Sequence, residues 1–150
     1  MACRIRQLIP EDYDRAYSYL NKEPLFNIHI IHGLQTHGLE SERARFWGAF
    51  QGARLGGVLF TDALWADHRN SPRFGCLFGD DSEGLARLGR LSAKRGLKLL
   101  KGERSCIQAA AEGLASHVSR LQMKDWYFYK ADPERSPLCF DHPVRVATRG

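Results

Sequence analysis

The sequence predicts an α+β domain built on a mixed, mostly antiparallel sheet with helices on both faces. Three observations predict it: a strand-then-helix opening, a run of β-type segments separated by turn residues, and a later switch to helical periodicity. At 150 residues with 43% hydrophobic and 26% charged side chains, the chain has the commonest single-domain size and one core is the default.

Arg4 to Ile9 alternates polar and apolar residues as a half-buried strand does. Pro10-Glu11-Asp12 then starts a helix, with proline in its first turn and carboxylates at its positive end. From Asp12 to Asn21 the residues Tyr13, Ala16, Tyr17 and Leu20 share one face. After Pro24, Phe26, Ile30 and Leu34 recur at i, i+4, i+8 and predict a second helix from Leu25 to Leu34, with Gly38 as its stop. ARFWGAFQ and RLGGVLFTD, joined by Gly52-Ala53, and RFGCLFGD, which follows the turn-rich Asn70-Ser71-Pro72, read as an antiparallel meander. Leu85, Leu88 and Leu91 mark one face of the next helix, Arg87, Arg90 and Lys94 another, and Gly96 ends it. A short strand from Leu97 to Lys101 leads through Gly102 into a helix whose Ile107, Ala110, Ala111 and Leu114 are expected to face inward. An aromatic strand, Asp125 to Lys130, closes the pattern, and ADPERSPLCFDHP, with prolines at 133, 137 and 143, reads as a linker.

This order, and the opening RIRQLIPEDYDRAYSYL with its Arg-x-x-x-x-x-Asp spacing, resembles the GNAT superfamily of N-acetyltransferases. LKLLKGERSCIQAAAEGL resembles an element of the first halves of two-module bacterial members, and HPVRVATRG looks like the opening strand of a second such domain. The resemblance implies residues 1–132 as a GNAT-like N-terminal domain, and 133–150 as linker plus the possible first strand of a missing second module. The full protein would then transfer acyl groups from acetyl-CoA, while this half, non-catalytic by itself, would bind no cofactor and would pack against the second module or a homodimer partner.

The chemistry is tested residue by residue. In the superfamily the cofactor pyrophosphate rests on a helix amino terminus in a loop of the form Arg/Gln-x-x-Gly-x-Gly/Ala. Here the equivalent position reads Gly79-Asp80-Asp81-Ser82-Glu83, whose carboxylates cap the helix and repel phosphates. The other candidate cofactor-binding segment is Lys101, Gly102, Arg104 and Ser105, where Ser105 is expected to cap the following helix beside two bases. It underlies an alternative reading, a complete small acyltransferase whose sign is a deep cleft between splayed central strands.

No catalytic residue is assigned. The tyrosine donor expected on the last helix is missing between Glu103 and Gln122, and Tyr127 and Tyr129 alternate with Trp126 and Phe128. His29, His32 and His37 lack a neighbouring carboxylate or thiol in sequence, so no metal is expected. Cys3, Cys76, Cys106 and Cys139 form no Cys-x-x-Cys pair and read as reduced, mostly buried thiols. No Gly-x-Ser-x-Gly elbow or phosphate-binding Gly-x-x-x-x-Gly-Lys loop occurs. A net charge of +5 from 22 basic and 17 acidic residues is interspersed. The most basic interval, Arg87, Arg90, Lys94, Arg95, Lys98, Lys101 and Arg104, gives a third reading as a nucleic-acid or anionic-partner module, ranked last because no aromatics interleave with it. No apolar run approaches the roughly 20 residues of a membrane span, and a cytoplasmic location is expected.

Overall fold

The computed structural model describes residues 2–62 and 74–124. Its elements are β1 (Cys3–Gln7), α1 (Tyr13–Leu20), α2 (Ile28–His37), β2 (Ala44–Gln51), β3 (Arg54–Asp62), β4 (Phe74–Gly79), α3 (Ser82–Lys94), β5 (Leu99–Gly102) and α4 (Arg104–Leu114). They form one five-stranded sheet in the order β1-β2-β3-β4-β5. The first three pairings are antiparallel and β4 pairs with β5 in parallel. The expected mixed, mostly antiparallel sheet is therefore the one observed. The anticipated strand Asp125 to Lys130 and the linker lie outside the described residues.

Helices cover both faces. On β3, a Cβ at Gly57 would touch Leu88 of α3, whereas Phe60, three residues on, lies against Gly33 of α2. Residues of opposite parity along a strand point to opposite faces. The core joins both sides: Leu8, Leu20, Ile30, Leu34, Phe46, Val58, Leu59, Leu77 and Leu88 are all fully buried.

β1 ends two residues earlier than its alternation predicts. Ile9 precedes a proline and is extended (φ −113°, ψ 164°), but its N–H donates to Asp12 Oδ2 at 3.0 Å rather than to a neighbouring strand. Pro10–Asp12 forms a short 3-10 turn ahead of α1. The Arg-x-x-x-x-x-Asp spacing has a physical role here. Arg6 grips Asp12 with both terminal nitrogens, Nη1 to Oδ2 at 2.5 Å and Nη2 to Oδ1 at 2.8 Å, and its guanidinium lies 4.2 Å from the Phe50 ring centroid. Asp12 is only 4% exposed, and the Arg6 hydrogen bond holds its carboxyl below the usual carboxylate range. Strand and helix are thereby clamped at a fixed angle by a two-point charge-assisted bond.

α2 starts at Ile28, three residues later than expected, because Asn27 is buried and its Nδ2 donates to the Leu20 carbonyl at 2.8 Å. Phe26 consequently falls outside the helix and is 42% exposed, while Ile30 and Leu34 enter the core as their spacing requires. Gly38 at φ 65° ends the helix.

The inward face of α4 agrees with expectation at Ala110 and differs elsewhere. Cys106, Ala110 and Gly113 are buried, whereas Ile107, Ala111 and Leu114 are only partly covered. Close approach to α3 decides this. A Cβ on Gly113 would fall 1.9 Å from the Ala86 carbonyl oxygen, and one on Gly89 would fall 2.4 Å from that of Ala110. The two helices pack backbone to backbone through small residues, so residue size rather than hydrophobicity selects the contact face.

Candidate functional site

The turn between β4 and α3 is where the sequence resemblance implies a cofactor pyrophosphate. Several of its polar groups are bonded within the chain. The N–H groups of Asp80 and Asp81 both donate to the Gly56 carbonyl, at 3.0 and 3.1 Å. Asp81 caps α3, its Oδ2 accepting from the Gly84 N–H at 3.2 Å. Gly79 permits the closure, because a Cβ there would stand 2.6 Å from the Gly56 oxygen.

Asp80 is held from two further directions. Tyr19 Oη donates to its Oδ1 at 3.0 Å and accepts from its N–H at 3.1 Å, while Arg54 Nη2 donates to its Oδ2 at 2.8 Å. Tyr19 is 5% exposed, and burial followed by the Asp80 bond pushes its hydroxyl pKa far above the ordinary value. A neutral tyrosine thus locks a carboxylate at a helix amino terminus, where an external anion would otherwise find N–H donors and a positive dipole. The self-capped helix read from Asp80 and Asp81 is present. Tyr19 and Arg54, which complete it, carry no signal in the sequence because they lie 61 and 26 residues from Asp80.

The segment from Lys101 to Ser105 is split by the sheet. Lys101 pairs with Cys76 and reaches the α2 side, where its Nζ stands 3.4 Å from His29 Nε2. An ammonium group only donates, so this contact makes Nε2 the acceptor and leaves the imidazole proton on Nδ1. Partial burial, then Lys101 and His32, hold the His29 pKa below its ordinary value. With Phe26, Ile30, Cys76 and Gly102, these residues line a recess of about 20 Å³, enough for about one water molecule. Cys76, at its floor, is buried and its thiol is pushed up to about 12.

Arg104 and Ser105 open α4, which packs on β4, β5 and α3. Ser105 does not cap this helix: Glu103 occupies the cap position without a side-chain cap bond, and Ser105 Oγ donates to Glu103 Oε1 at 3.0 Å. The helix begins two residues earlier than a Ser105 cap requires, because β5 runs through Gly102 almost directly into it.

Four rungs join β4 to β5, ending at Leu77 with Gly102. A Cβ on Gly102 would lie 2.3 Å from the Leu77 oxygen, so close strand pairing explains this glycine without a ligand. Past that rung α4 fills the divergence: Cys106 Sγ donates to the Gly79 carbonyl at 3.3 Å. Cys106 is 1% exposed and burial raises its pKa, the state of a packed thiol rather than a nucleophile.

The basic interval is dispersed. Arg87 pairs with Glu83 at 2.8 Å, Arg95 lies 4.5 Å from the Trp47 ring centroid, and Lys101 faces His29 across the sheet. Among the described residues no three His, Cys, Asp or Glu side chains gather as metal ligands, and no helix is long and apolar enough to cross a membrane. Cys3, Cys76 and Cys106 are free and buried, as read from the sequence. Tyr127, Tyr129 and Cys139 lie outside the described residues.

No family model matches the chain, and no curated protein does. Solved structures are similar to it at low identity. One is AAC(6')-Iy in complex with the bisubstrate analog CoA-S-monomethyl-acetylneamine, at 14% identity and a TM-score of 0.49, covering 88% of this chain and 99% of that one. The ribosomal-protein-alanine N-acetyltransferase of Brucella melitensis biovar Abortus 2308 is 14% identical, with a TM-score of 0.47 over 87% of this chain and 100% of that one. A transcriptional regulator from Bacillus halodurans C-125 is 13% identical, with a TM-score of 0.47 over 84% of this chain and 100% of that one.

Proposed function

We propose that this chain is a GNAT-like module of an N-acetyltransferase that does not itself hold acetyl-CoA, and that it packs against or orients a second module or a second copy that does. The closed β4–α3 turn carries this reading. An acyl-CoA diphosphate needs several unpaired N–H groups and a positive helix end. At this turn the N–H groups of Asp80, Asp81 and Gly84 are already bonded within the chain, and two carboxylates stand where the phosphates would lie. These residues do not fit the group, so no acyl-transfer step is assigned to them. The α4 start offers no substitute, since Lys101 is turned toward the opposite face of the sheet from α4.

Calorimetric titration of the full chain with acetyl-CoA at low and moderate salt tests the proposal, with an Arg104→Glu variant alongside. No saturable heat up to about 1 mM ligand is expected, which places any affinity weaker than about −4 kcal/mol. Saturable binding that the variant abolishes would overturn the reading and make the chain an acyl-CoA protein through the start of α4.

A further inference from the structure

We draw no further inference here: the strongest candidate, the exposed apolar face formed by Leu25, Phe26, Ile28 and Leu99 beside the recess between α2 and β5, carries nothing because nothing in the structure shows what covers it.

Discussion

Replacing Gly113 by alanine tests the α3–α4 contact through the sign of its effect. In an uncrowded helix the change stabilises by about 1 kcal/mol, the propensity difference between the two residues. Here the new methyl group meets the Ala86 carbonyl oxygen at 1.9 Å and its carbon at 2.6 Å, both backbone atoms with no rotamer to yield. The helices must part by about an ångström, which also opens the Gly89–Ala110 approach and loosens the packing around Cys106. Overpacking of this kind costs about 1–3 kcal/mol and occasionally more, so a net loss of about 2 kcal/mol is expected despite the better propensity. For a chain of this size that lowers Tm by about 4–8 °C. Thermal and urea unfolding followed by circular dichroism would read it. A Gly113→Ala protein with an unchanged or higher Tm would refute the backbone-to-backbone packing and the account of why α4 presents its small residues to α3.

Other substitutions probe the turn and the strand-helix clamp. Tyr19→Phe removes a hydroxyl that both donates to and accepts from Asp80. A loss of about 1 kcal/mol in unfolding free energy is expected from urea titration, and no loss would refute the lock. Asp81→Ala should cost about 1 kcal/mol through the lost cap, and Asp81→Asn only a few tenths; equal losses would contradict capping. The Asp12 carboxyl titrates below its unfolded value of about 4. Its contribution is therefore complete above that pH and drains away as pH falls through the folded value. Arg6→Met, which leaves a mostly buried carboxylate with only the Ile9 N–H and no ionic partner, should cost about 2–3 kcal/mol near neutral pH and flatten the acid limb of the stability profile; an unchanged acid limb would count against the clamp. Native Cys3, Cys76 and Cys106 should resist alkylation at pH 8 and react together on unfolding, read by peptide mass mapping; prompt labelling of Cys106 would contradict its burial against Gly79.

Periodicity carried most of the architecture. The β-type runs around Phe46, Val58 and Leu77, set off by turn residues, declare strands, and the i, i+4 spacing of Ile30 and Leu34 places α2, because these residues fill the core through their own side chains. The Arg6 and Asp12 spacing was legible as a motif, though its bidentate geometry was not. Failures arose where backbone rather than side chains makes the contact. Gly89 and Gly113 have no apolar signature, so of the inward stripe expected at Ile107, Ala110, Ala111 and Leu114 only Ala110 is fully buried, beside Cys106 and Gly113. Ser105 has the chemistry of a cap, but the short passage from β5 into α4 puts the cap at Glu103 and leaves Ser105 two positions past it. The acidic turn at Asp80 and Asp81 was readable from local charge, while Tyr19 and Arg54 reach it only through tertiary folding, which no local window contains.

The spatial order of the strands equals their order in the chain. Assembly can therefore proceed by accretion, from the β2–β3 hairpin outward, with every new strand meeting its neighbour in sequence. Two closures are expensive in loop entropy. β1 reaches β2 only across α1 and α2, and β5 reaches β4 only across α3. Because those closures build both edges of the described sheet, slow steps in folding should concentrate at the edges while the central hairpin forms early.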